Sequence, residues 1–308
     1  MKEMECVRQV SNWSSVSVSD RFENHSFDPV KFKQKMVINS PRMVTLFENI
    51  YKLDEKDFKK HGKLFKHYIY TDLKKSHGVK LLISAMISAG YNFCYKRDGK
   101  IKIKENSDEN FLVLSSSILY NKPFGSKKIK ETLEVFNERP GNIYGEKVRF
   151  IILDSGFKEG IDLFDVKYCH IFEEQLTQSD LVQALGRGLR NCGQKGLPFE
   201  KNKGWELKVF IYDSVVSGKW LWSQDISIIR KLKHKAGMSE NDIAIDRIDN
   251  LLVKNSIDYL INKTSSNNYY NLAKNLTIVV SSVVAAAATA KYLVPFALKR
   301  MRKTKSVK

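Results

Sequence analysis

Five apolar segments, four of them ending in small or polar residues, alternate with helical patterns between residues 66 and 215. They read KHYIYTD at 66–72, NFLVLSSS at 110–117, KVRFIILDSG at 147–156, KYCHIFEE at 167–174 and LKVFIYDSV at 207–215. Short continuous apolar runs are typical of strands that are buried on both faces, and intervening helices allow such strands to pair in parallel. The pattern therefore predicts an α/β fold with a mostly parallel sheet and flanking helices.

Polar residues directly follow several of these predicted strands. They are Thr71 and Asp72, the serines at 115–117, the stretch 154–156, and Glu173 with Glu174. In open parallel sheets, ligands bind in the crevice beyond the carboxyl ends of the strands. We therefore expect these residues to line a ligand site.

Four regions follow from the distribution of these patterns. Residues 1–39 are polar and rich in serine, and they are predicted to be a poorly ordered lead-in. The α/β domain is expected over 40–218, followed by a helical extension over 219–271 and by an apolar helix with a basic tail over 272–308.

The chain is strongly basic. Its 52 Lys and Arg residues outnumber 34 Asp and Glu residues, which gives a net charge of +18. From Lys254 to Lys308 there are ten basic residues and one acidic residue. Such an excess favours polyanionic partners, either DNA or RNA or an anionic membrane surface, over acidic proteins. The alternative is a solubilising tail.

Neither the cysteines nor the ends of the chain indicate export. The four cysteines include no CxxC pair, which argues against a zinc site or a disulfide framework and favours a reducing intracellular compartment. The uncharged run at 275–290 continues to residue 298 only across Lys291. A membrane span needs about 20 apolar residues, so the alternatives are a membrane anchor at 275–298 and a helix packed on the protein.

The stretch QALGRGLR at 183–190 contains two arginines three positions apart. Arg187 and Arg190 would lie on one face of a helix, with Ser179 as its N-cap and Asp180 in its first turn. Two adjacent fixed cations are consistent either with a solvated helix face or with a site for an anion such as a triphosphate.

The loop EGID, with Gly160, Ile161 and Asp162, lies about twenty residues upstream of this stretch, and each of the two follows a predicted strand. This pair of segments resembles motifs V and VI of the second RecA-like domain of superfamily 2 helicases and translocases. Gln183, Gly186, Arg187 and Arg190 match the second motif. The resemblance covers roughly residues 40–215, and its phrases look closest to helicases of large DNA viruses, which would imply host cytoplasm or the virion as location.

The resemblance implies a role for each matching residue. Arg187 and Arg190 would be arginine fingers that stabilise charge on a γ-phosphate, and Gln183 would position the phosphate or the attacking water. Gly160, Asp162 and Gly186 would contact the nucleotide. The residues that would contact nucleic acid are Thr71, Ser115, Ser116, Ser155 and Lys158. Lys158 and Glu159 replace the Ala-Arg pair of many relatives, which leaves the residue that grips phosphate undefined.

The 308 residues contain no GxxxxGK[ST] loop, and no predicted strand runs into an Asp-Glu-x-His or Asp-Glu-Ala-Asp box. The resemblance therefore implies that ATP and Mg²⁺ are held with a partner chain carrying the first RecA-like domain, and that this chain alone does not hydrolyse NTP. The expected function is the C-terminal half of an NTP-dependent helicase or translocase. The alternative is a non-catalytic nucleic-acid-binding or scaffold protein derived from a helicase. A variant of this alternative adds a membrane tether at the C-terminal apolar run.

Overall fold

The computed structural model of the chain describes residues 2–14, 17–74, 77–157, 160–189, 193–201, 204–216, 226–227 and 276–282. Six α-helices lie within these ranges. They are α1 (Lys2–Asn12), α2 (Pro29–Asn39), α3 (Pro41–His61), α4 (Val79–Ser88), α5 (Ser126–Asn137) and α6 (Gln178–Gly186).

One large sheet organises the described residues. Its strands are β1 (Lys66–Thr71), β2 (Asn92–Phe93), β3 (Asn110–Leu114), β4 (Phe150–Asp154), β5 (Val166–Ile171), β8 (Lys208–Val216), β9 (Ile226–Ser227) and β10 (Leu276–Ser282). The order is β10-β8-β5-β1-β4-β3-β2, with parallel neighbours throughout, and β9 pairs antiparallel with β8. Two further strands, β6 (Phe199–Glu200) and β7 (Gly204–Trp205), form a separate hairpin. The predicted α/β fold, a mostly parallel sheet with flanking helices, is confirmed.

Strand β1 lies at the centre of the sheet, between β4 and β5. Its residue Ile69 is opposite Ile152 on one side and His170 on the other. Every residue of β1, β4 and β5 is buried, and these strands are mostly apolar or aromatic in the sequence, with a few charged or polar residues such as Lys66 and His170. The carboxyl ends of β1, β3, β4 and β5 consequently meet at one edge of the sheet.

Two hydrophobic cores lie on the two faces of the sheet. One packs the apolar sides of α2, α3 and α4 against residues such as Ile69 and Ile152. The other packs α5 and α6 against neighbouring residues that point to the opposite face, including Tyr68 and Ile151. The alternation of strand side chains thus divides each strand between the two cores, and the result is a sheet with helices on both faces.

The N-terminal region differs from its prediction as a poorly ordered lead-in. It contains α1 and α2, and Trp13, Phe22 and Phe32 are buried in the core with the helices. Trp13 stacks on Phe32 with ring centroids 4.6 Å apart. These aromatic residues are isolated within polar sequence, so no periodic apolar pattern predicted that they would be buried. Each large ring nevertheless buries as much area as several small residues.

A chain of buried polar groups joins α3 to three strands. His67 Nε2 lies 3.5 Å from Asp54 Oδ1, and His67 Nδ1 lies 2.9 Å from His170 Nε2. His170 Nδ1 lies 2.8 Å from Tyr212 Oη, which accepts from Asn49 Nδ2 at 3.3 Å. His67 Nε2 makes no hydrogen bond at this distance, so the hydrogen-bonded chain runs from Asn49 through Tyr212 and His170 to His67, and both imidazoles can be neutral in it. Burial lowers the pKa of both histidines, which favours that neutral state.

The C-terminal predictions are only partly within the described residues. The extension predicted at 219–271 lies outside them apart from 226–227. The predicted apolar helix is instead a strand at Leu276–Ser282, paired in parallel with β8, and its β-branched residues Thr277, Ile278 and Val279 suit a pleated sheet. None of the helices in the described ranges is long and apolar enough to span a bilayer.

Candidate functional site

The loop after β4 carries the EGID segment. Gly160 is exposed and has φ +79°, a left-handed conformation that side-chain-bearing residues adopt at a cost, which explains the glycine. Asp162 is exposed, and its backbone carbonyl accepts a hydrogen bond from the Asn137 side chain. Lys158 and its neighbour at 159 lie outside the described residues. The loop thus presents open backbone at the position where the sequence predicted contact with a nucleotide.

Helix α6 precedes the arginines, and it begins and ends earlier than predicted. Its N-cap is Thr177, whose side chain accepts from the Asp180 backbone N–H at 3.1 Å, so the cap lies two residues before Ser179. The helix ends at Gly186, and residues 187–189 form a turn. Arg187 therefore lies just past the end of the helix, and because Arg190 lies outside the described residues, the shared helix face of the two arginines stays a prediction. Gln183 is half-buried on the helix.

Arg187 is folded back onto the EGID loop. Its side chain is only 8% exposed, and Nη1 donates to the carbonyl of Ile161 at 3.1 Å. The backbone N–H of Leu163 in turn donates to the carbonyl of Arg187 at 3.2 Å. These two bonds join the two segments singled out from the sequence. Arg187 Nε is buried without a hydrogen-bond partner, so one donor of this guanidinium is left for another acceptor.

The end of α5 holds the same loop from the other side. The Asn137 side chain donates to the carbonyl of Asp162 and accepts from the N–H of Phe164, both at 2.8 Å. The buried Lys66 ammonium donates to the carbonyls of Phe136 at 2.6 Å and Phe164 at 3.1 Å. Residues 162–164 are therefore fixed to α5 by an amide and a cation.

A buried ion pair lies at the base of the loop. Arg139 Nε and Nη2 donate to the two carboxylate oxygens of Asp165 at 2.6 and 2.7 Å, a bidentate arrangement. Asp165 is fully buried, and its carboxylate also accepts from the N–H of Gly196 at 2.9 Å. Arg139 donates further to the carbonyl of Gly193 at 2.6 Å. The pair thus connects the loop to the segment that follows the arginine turn.

A groove of about 450 Å³ runs between α5 and the EGID loop. Its floor is apolar and includes Ile129, Leu133 and Ile161, while Lys130 and Glu134 line its sides. The groove is open toward solvent at Gly160, where an added Cβ would meet nothing within 4 Å. The loop therefore separates this groove from the buried guanidinium of Arg187.

The predicted nucleic-acid residues after β3 donate to one carboxylate, and the one after β4 donates to a backbone carbonyl. Asp154 Oδ2 accepts from Ser115 Oγ at 2.6 Å and from the Ser116 N–H and Oγ at 2.8 and 3.1 Å. Ser155 Oγ donates to the carbonyl of Asp72 at 3.0 Å. The structure does bring these residues together at one edge of the sheet. Their hydroxyl protons are, however, directed to acceptors within the protein.

Thr71 at the end of β1 has a similar environment. It is fully buried, and its hydroxyl donates to Glu173 Oε1 at 2.6 Å. Glu173 Oε2 accepts from the backbone N–H of Asp72 at 3.0 Å. Burial raises the pKa of Glu173, and the nearby Arg8 and the hydrogen bond from Thr71 offset part of that rise. Thr71 therefore acts as a partner of a buried acid in this state.

Helix α1 covers this end of β1 and β5. Arg8 Nη1 donates to Asp72 Oδ2 at 3.0 Å, and Asn12 Nδ2 donates to Glu173 Oε1 at 2.6 Å. Buried Arg42 of α3 donates to the side chain of Asn12 and, at 2.6 Å, to Ser214 Oγ. These contacts form a polar cluster between α1, α3 and three strand ends.

Sequence reasoning missed the residues that hold the site together. They are Arg8, Asn12, Arg42, Lys66, Asn137, Arg139 and Asp165. Each acts through a contact with a residue distant in sequence, so no spacing rule points to it. The only local signal was the break at Arg139-Pro140-Gly141, which predicted the end of α5. In the described part of the chain, no group of three or more His, Cys, Asp or Glu side chains could hold a metal ion.

Comparison with known proteins gives partial matches, and no family model matches the chain. "Putative ATP-dependent RNA helicase R350" of Acanthamoeba polyphaga mimivirus is 37% identical over 67 residues, which are 22% of this chain and 8% of that protein. "Putative ATP-dependent RNA helicase R563" of the same virus is 33% identical over 86 residues, covering 28% of this chain and 14% of that protein.

A third relative is "Nucleoside triphosphatase I" of Melanoplus sanguinipes entomopoxvirus, 24% identical over 119 residues, or 39% of this chain and 18% of that protein. The chain thus spans less than a fifth of the length of these relatives. Together they relate it weakly to viral helicase-like and nucleoside-triphosphatase-like proteins, in agreement with the viral resemblance.

Among solved structures, the C-terminal part of the Fun30 ATPase domain matches with a TM-score of 0.35 and 14% identity. The match covers 54% of this chain and 39% of that one. A TM-score this low carries no argument about function.

Proposed function

We propose that this chain is a helicase-like second domain that supplies Arg187 and Arg190 to a nucleoside triphosphate held with Mg²⁺ by a separate first domain. The process served is NTP-dependent movement along, or unwinding of, DNA or RNA. The observation that carries this proposal is the pair of bonds joining Arg187 to the EGID loop. Two segments matched from sequence alone are thereby joined in the fold.

The chemistry of Arg187 fits a phosphate ligand. A buried guanidinium Nε without a partner is costly, and a phosphate oxygen would satisfy it. Guanidinium also keeps its charge at every accessible pH and matches phosphate oxygens with a planar fork of donors. Release of Nη1 from the Ile161 carbonyl would free a second donor. ATP would supply the phosphoryl group that the two arginines stabilise, while Mg²⁺ would be held by the first domain.

Titration of the full chain with magnesium tripolyphosphate, followed by calorimetry, tests the arginine role. Loss of a charge-assisted hydrogen bond costs about 1.5–3 kcal/mol, so R187Q is expected to weaken binding by about ten- to a hundredfold. R97Q is the matched control, because Arg97 is exposed and the variant loses the same charge. If R187Q and R97Q weaken tripolyphosphate binding equally, Arg187 contributes only its charge and is not a specific ligand of the phosphate.

The isolated chain is expected to show no NTP hydrolysis with or without added RNA or DNA. NTP hydrolysis that persists through purification to constant specific activity would contradict the proposal that this chain needs a separate first domain to hydrolyse NTP. A malachite green phosphate assay is sufficient for this measurement.

The second candidate function is a non-catalytic nucleic-acid-binding protein with a helicase-derived fold. The observation in its favour is that Arg187 and the strand-end hydroxyls are engaged within the protein. Fluorescence anisotropy with labelled single-stranded RNA and DNA from 50 to 300 mM salt would measure binding and its salt dependence. Tight binding without any tripolyphosphate affinity would favour this candidate.

A further inference from the structure

The hairpin of β6 and β7 carries two aromatic side chains on one face. Phe199 is paired with Trp205 across the two strands, and their ring centroids lie 5.0 Å apart in an edge-to-face arrangement. Trp205 is half-buried against the core, and its indole N–H donates to the carbonyl of Leu197 at 3.2 Å. Phe199 is 61% exposed. The hairpin therefore fixes the indole and leaves most of the phenylalanine ring in solvent.

Lysines stand on both sides of Phe199 in the chain. Lys195 and Lys201 are exposed, and within the described part of the chain neither forms an ion pair. The only carboxylate between them in the sequence is that of Glu200. A single exposed apolar residue is ordinary on a protein surface. An exposed aromatic ring between cations, however, matches the two parts of a nucleotide, because the ring can stack on a base and the cations can hold phosphate.

The end of α3 brings further cations to the same end of the sheet. Helix α3 leads into β1 and the hairpin leads into β8, so both lie at the amino ends of these parallel strands. Burial would raise the pKa of Glu206, which directly follows β7, but nearby lysines lower it, and Lys60 of α3 is one of them. Lys60 therefore lies close to the hairpin.

The loop before β4 joins the two groups of cations. Lys63 Nζ, just after α3, lies 4.2 Å from the centroid of the Tyr144 ring. The neighbouring Ile143 packs against Gly196, where an added Cβ would lie 2.9 Å from Ile143 Cγ2. Gly196 directly follows Lys195. Lys63 and Lys195 consequently belong to adjoining segments of one surface.

This surface is at the opposite edge of the sheet from the strand-end hydroxyls. Thr71 and Ser115 donate to the carboxylates of Glu173 and Asp154 at the carboxyl ends of the strands. The amino ends are a full strand length away. A phosphate bound there does not have to displace either of these carboxylates.

We propose that the surface formed by Lys60, Lys63, Lys195, Phe199 and Lys201, called here the amino-end surface, binds a single strand of RNA or DNA. One base stacks on the Phe199 ring, and the lysines neutralise the phosphates on either side of that base. The inference rests on the proposed function for nucleic acid as the partner. Its location on the protein rests on the exposed ring and the surrounding charge.

The cations have an alternative structural explanation only in part. Basic residues in the last turn of a helix stabilise its C-terminus, which would by itself account for Lys60. Lys63, Lys195 and Lys201 lie outside the helices, so this explanation does not extend to them. Substitutions of these three lysines therefore test the binding of phosphate without weakening a helix end.

Fluorescence anisotropy with three labelled strands of equal length tests the stacking. The strands are an oligouridylate, an oligothymidylate and an abasic strand that keeps the phosphates and lacks the bases. F199A is expected to weaken binding of the first two about five- to a hundredfold, the loss typical of one stacked base, and to leave the abasic strand nearly unaffected. F199Y keeps an aromatic face and is expected to stay within about twofold of wild type.

F58A is the matched control for F199A. Phe58 is the same residue type with the same exposure, 64%, and it is two positions from Lys60 in α3. Side chains two positions apart on a helix point to nearly opposite sides, so Phe58 faces away from the amino-end surface. F58A is expected to bind all three strands like wild type. Urea unfolding of both variants shows that each is folded.

The salt dependence of oligouridylate binding tests the lysines. Each phosphate contact with a single strand contributes about 0.7 to the slope of log K against log salt concentration, so K63Q/K195Q/K201Q should reduce that slope by about 2. K100Q/K102Q/K104Q is the matched control, because it removes the same charge from three exposed lysines in the segment after β2. We expect its slope to equal that of wild type.

The possible outcomes separate this inference from the proposed function. Wild-type binding of both base-containing strands by F199A, or equal slopes for the two triple variants, would overturn it. Failure of wild type to bind any strand would also overturn it, whereas the role of Arg187 is decided by the tripolyphosphate titration alone. A loss confined to one base-containing strand would support the surface and identify its ligand as RNA or DNA. If the lysine variant loses binding to phosphatidylserine vesicles and keeps strand binding, the surface meets a membrane instead.

Discussion

Lys66 offers a quantitative test of how the EGID loop is fixed. Its ammonium is fully buried, donates to the carbonyls of Phe136 and Phe164, and lies 4.5 Å from the centroid of the Phe136 ring. Burial lowers the pKa of Lys66 to about 7, with Asp165 opposing and Arg139 reinforcing the change. The neutral amine still has two N–H groups, so deprotonation removes the cost of the buried charge and leaves both hydrogen bonds in place.

The sign of the pH dependence follows from proton binding. In the unfolded chain Lys66 titrates near 10.5, so between pH 7 and that value the unfolded state binds more protons than the folded state. The free energy of unfolding therefore rises with pH in this window, by up to about 1.4 kcal/mol per pH unit. From pH 7.5 to 9.5 the expected gain from Lys66 is about 2–3 kcal/mol.

Urea unfolding followed by circular dichroism, in wild type and K66M, isolates this contribution. Buried Cys94 and Cys169, whose pKa values burial raises, also titrate in alkali, but they are common to both proteins and cancel in the difference. The difference in unfolding free energy should shift by about 2–3 kcal/mol in favour of wild type between pH 7.5 and 9.5. A difference constant to within about 0.5 kcal/mol would refute a buried ammonium with a lowered pKa.

Four further outcomes are expected. D57A leaves the buried Lys167 ammonium without its 2.7 Å partner and should cost about 3–5 kcal/mol in urea unfolding, most of which D57A/K167M should restore. Burial lowers the pKa of His170, so below about pH 6.5 the unfolded chain binds a proton at this residue that the folded chain does not, and H170Q should show a shallower loss of stability from pH 6.5 to 5 than wild type. W13A should cost about 3–5 kcal/mol by the same assay if residues before 40 are part of the core. S116A should leave RNA and DNA affinity, measured by anisotropy, within twofold of wild type; a larger loss would show that this hydroxyl meets phosphate.

The sheet was predictable because its strands are buried on both faces. Lys66–Thr71, Asn110–Leu114, Phe150–Asp154 and Val166–Ile171 are buried at every position, and most of their residues are apolar or aromatic. The pairing of the EGID loop with QALGRGLR was predictable because both follow such strands. The exact end of the helix at Gly186 was not predicted: Gly186 and Gly188 weaken the helix locally, but the bonds between Arg187 and residues 161–163 form only in the folded chain.

The N-terminal helices and the anchoring residues could not be predicted for a different reason. Trp13 is packed by a ring nineteen positions away, and Arg139 pairs with a carboxylate twenty-six positions away. Local sequence propensities do not predict contacts between residues that are distant in the chain. An isolated aromatic residue or arginine is equally consistent with a position on the surface. The buried polar cluster of Arg8, Asn12 and Glu173 is of the same kind, because its members are unremarkable until the fold brings them together.

The charge at the strand ends limits where nucleic acid can bind. The hydroxyls of Thr71, Ser115 and Ser116 each have one proton, and each donates that proton to a carboxylate of Glu173 or Asp154. A phosphate oxygen approaching the same hydroxyls would have to displace a carboxylate that already accepts at least two other donors, and it would meet like charge. The polyanion affinity expected from a net charge of +18 must then come from cations away from this edge, together with the basic segment after residue 253. Nucleic-acid binding in this chain would accordingly respond to salt far more than to the loss of any single strand-end hydroxyl.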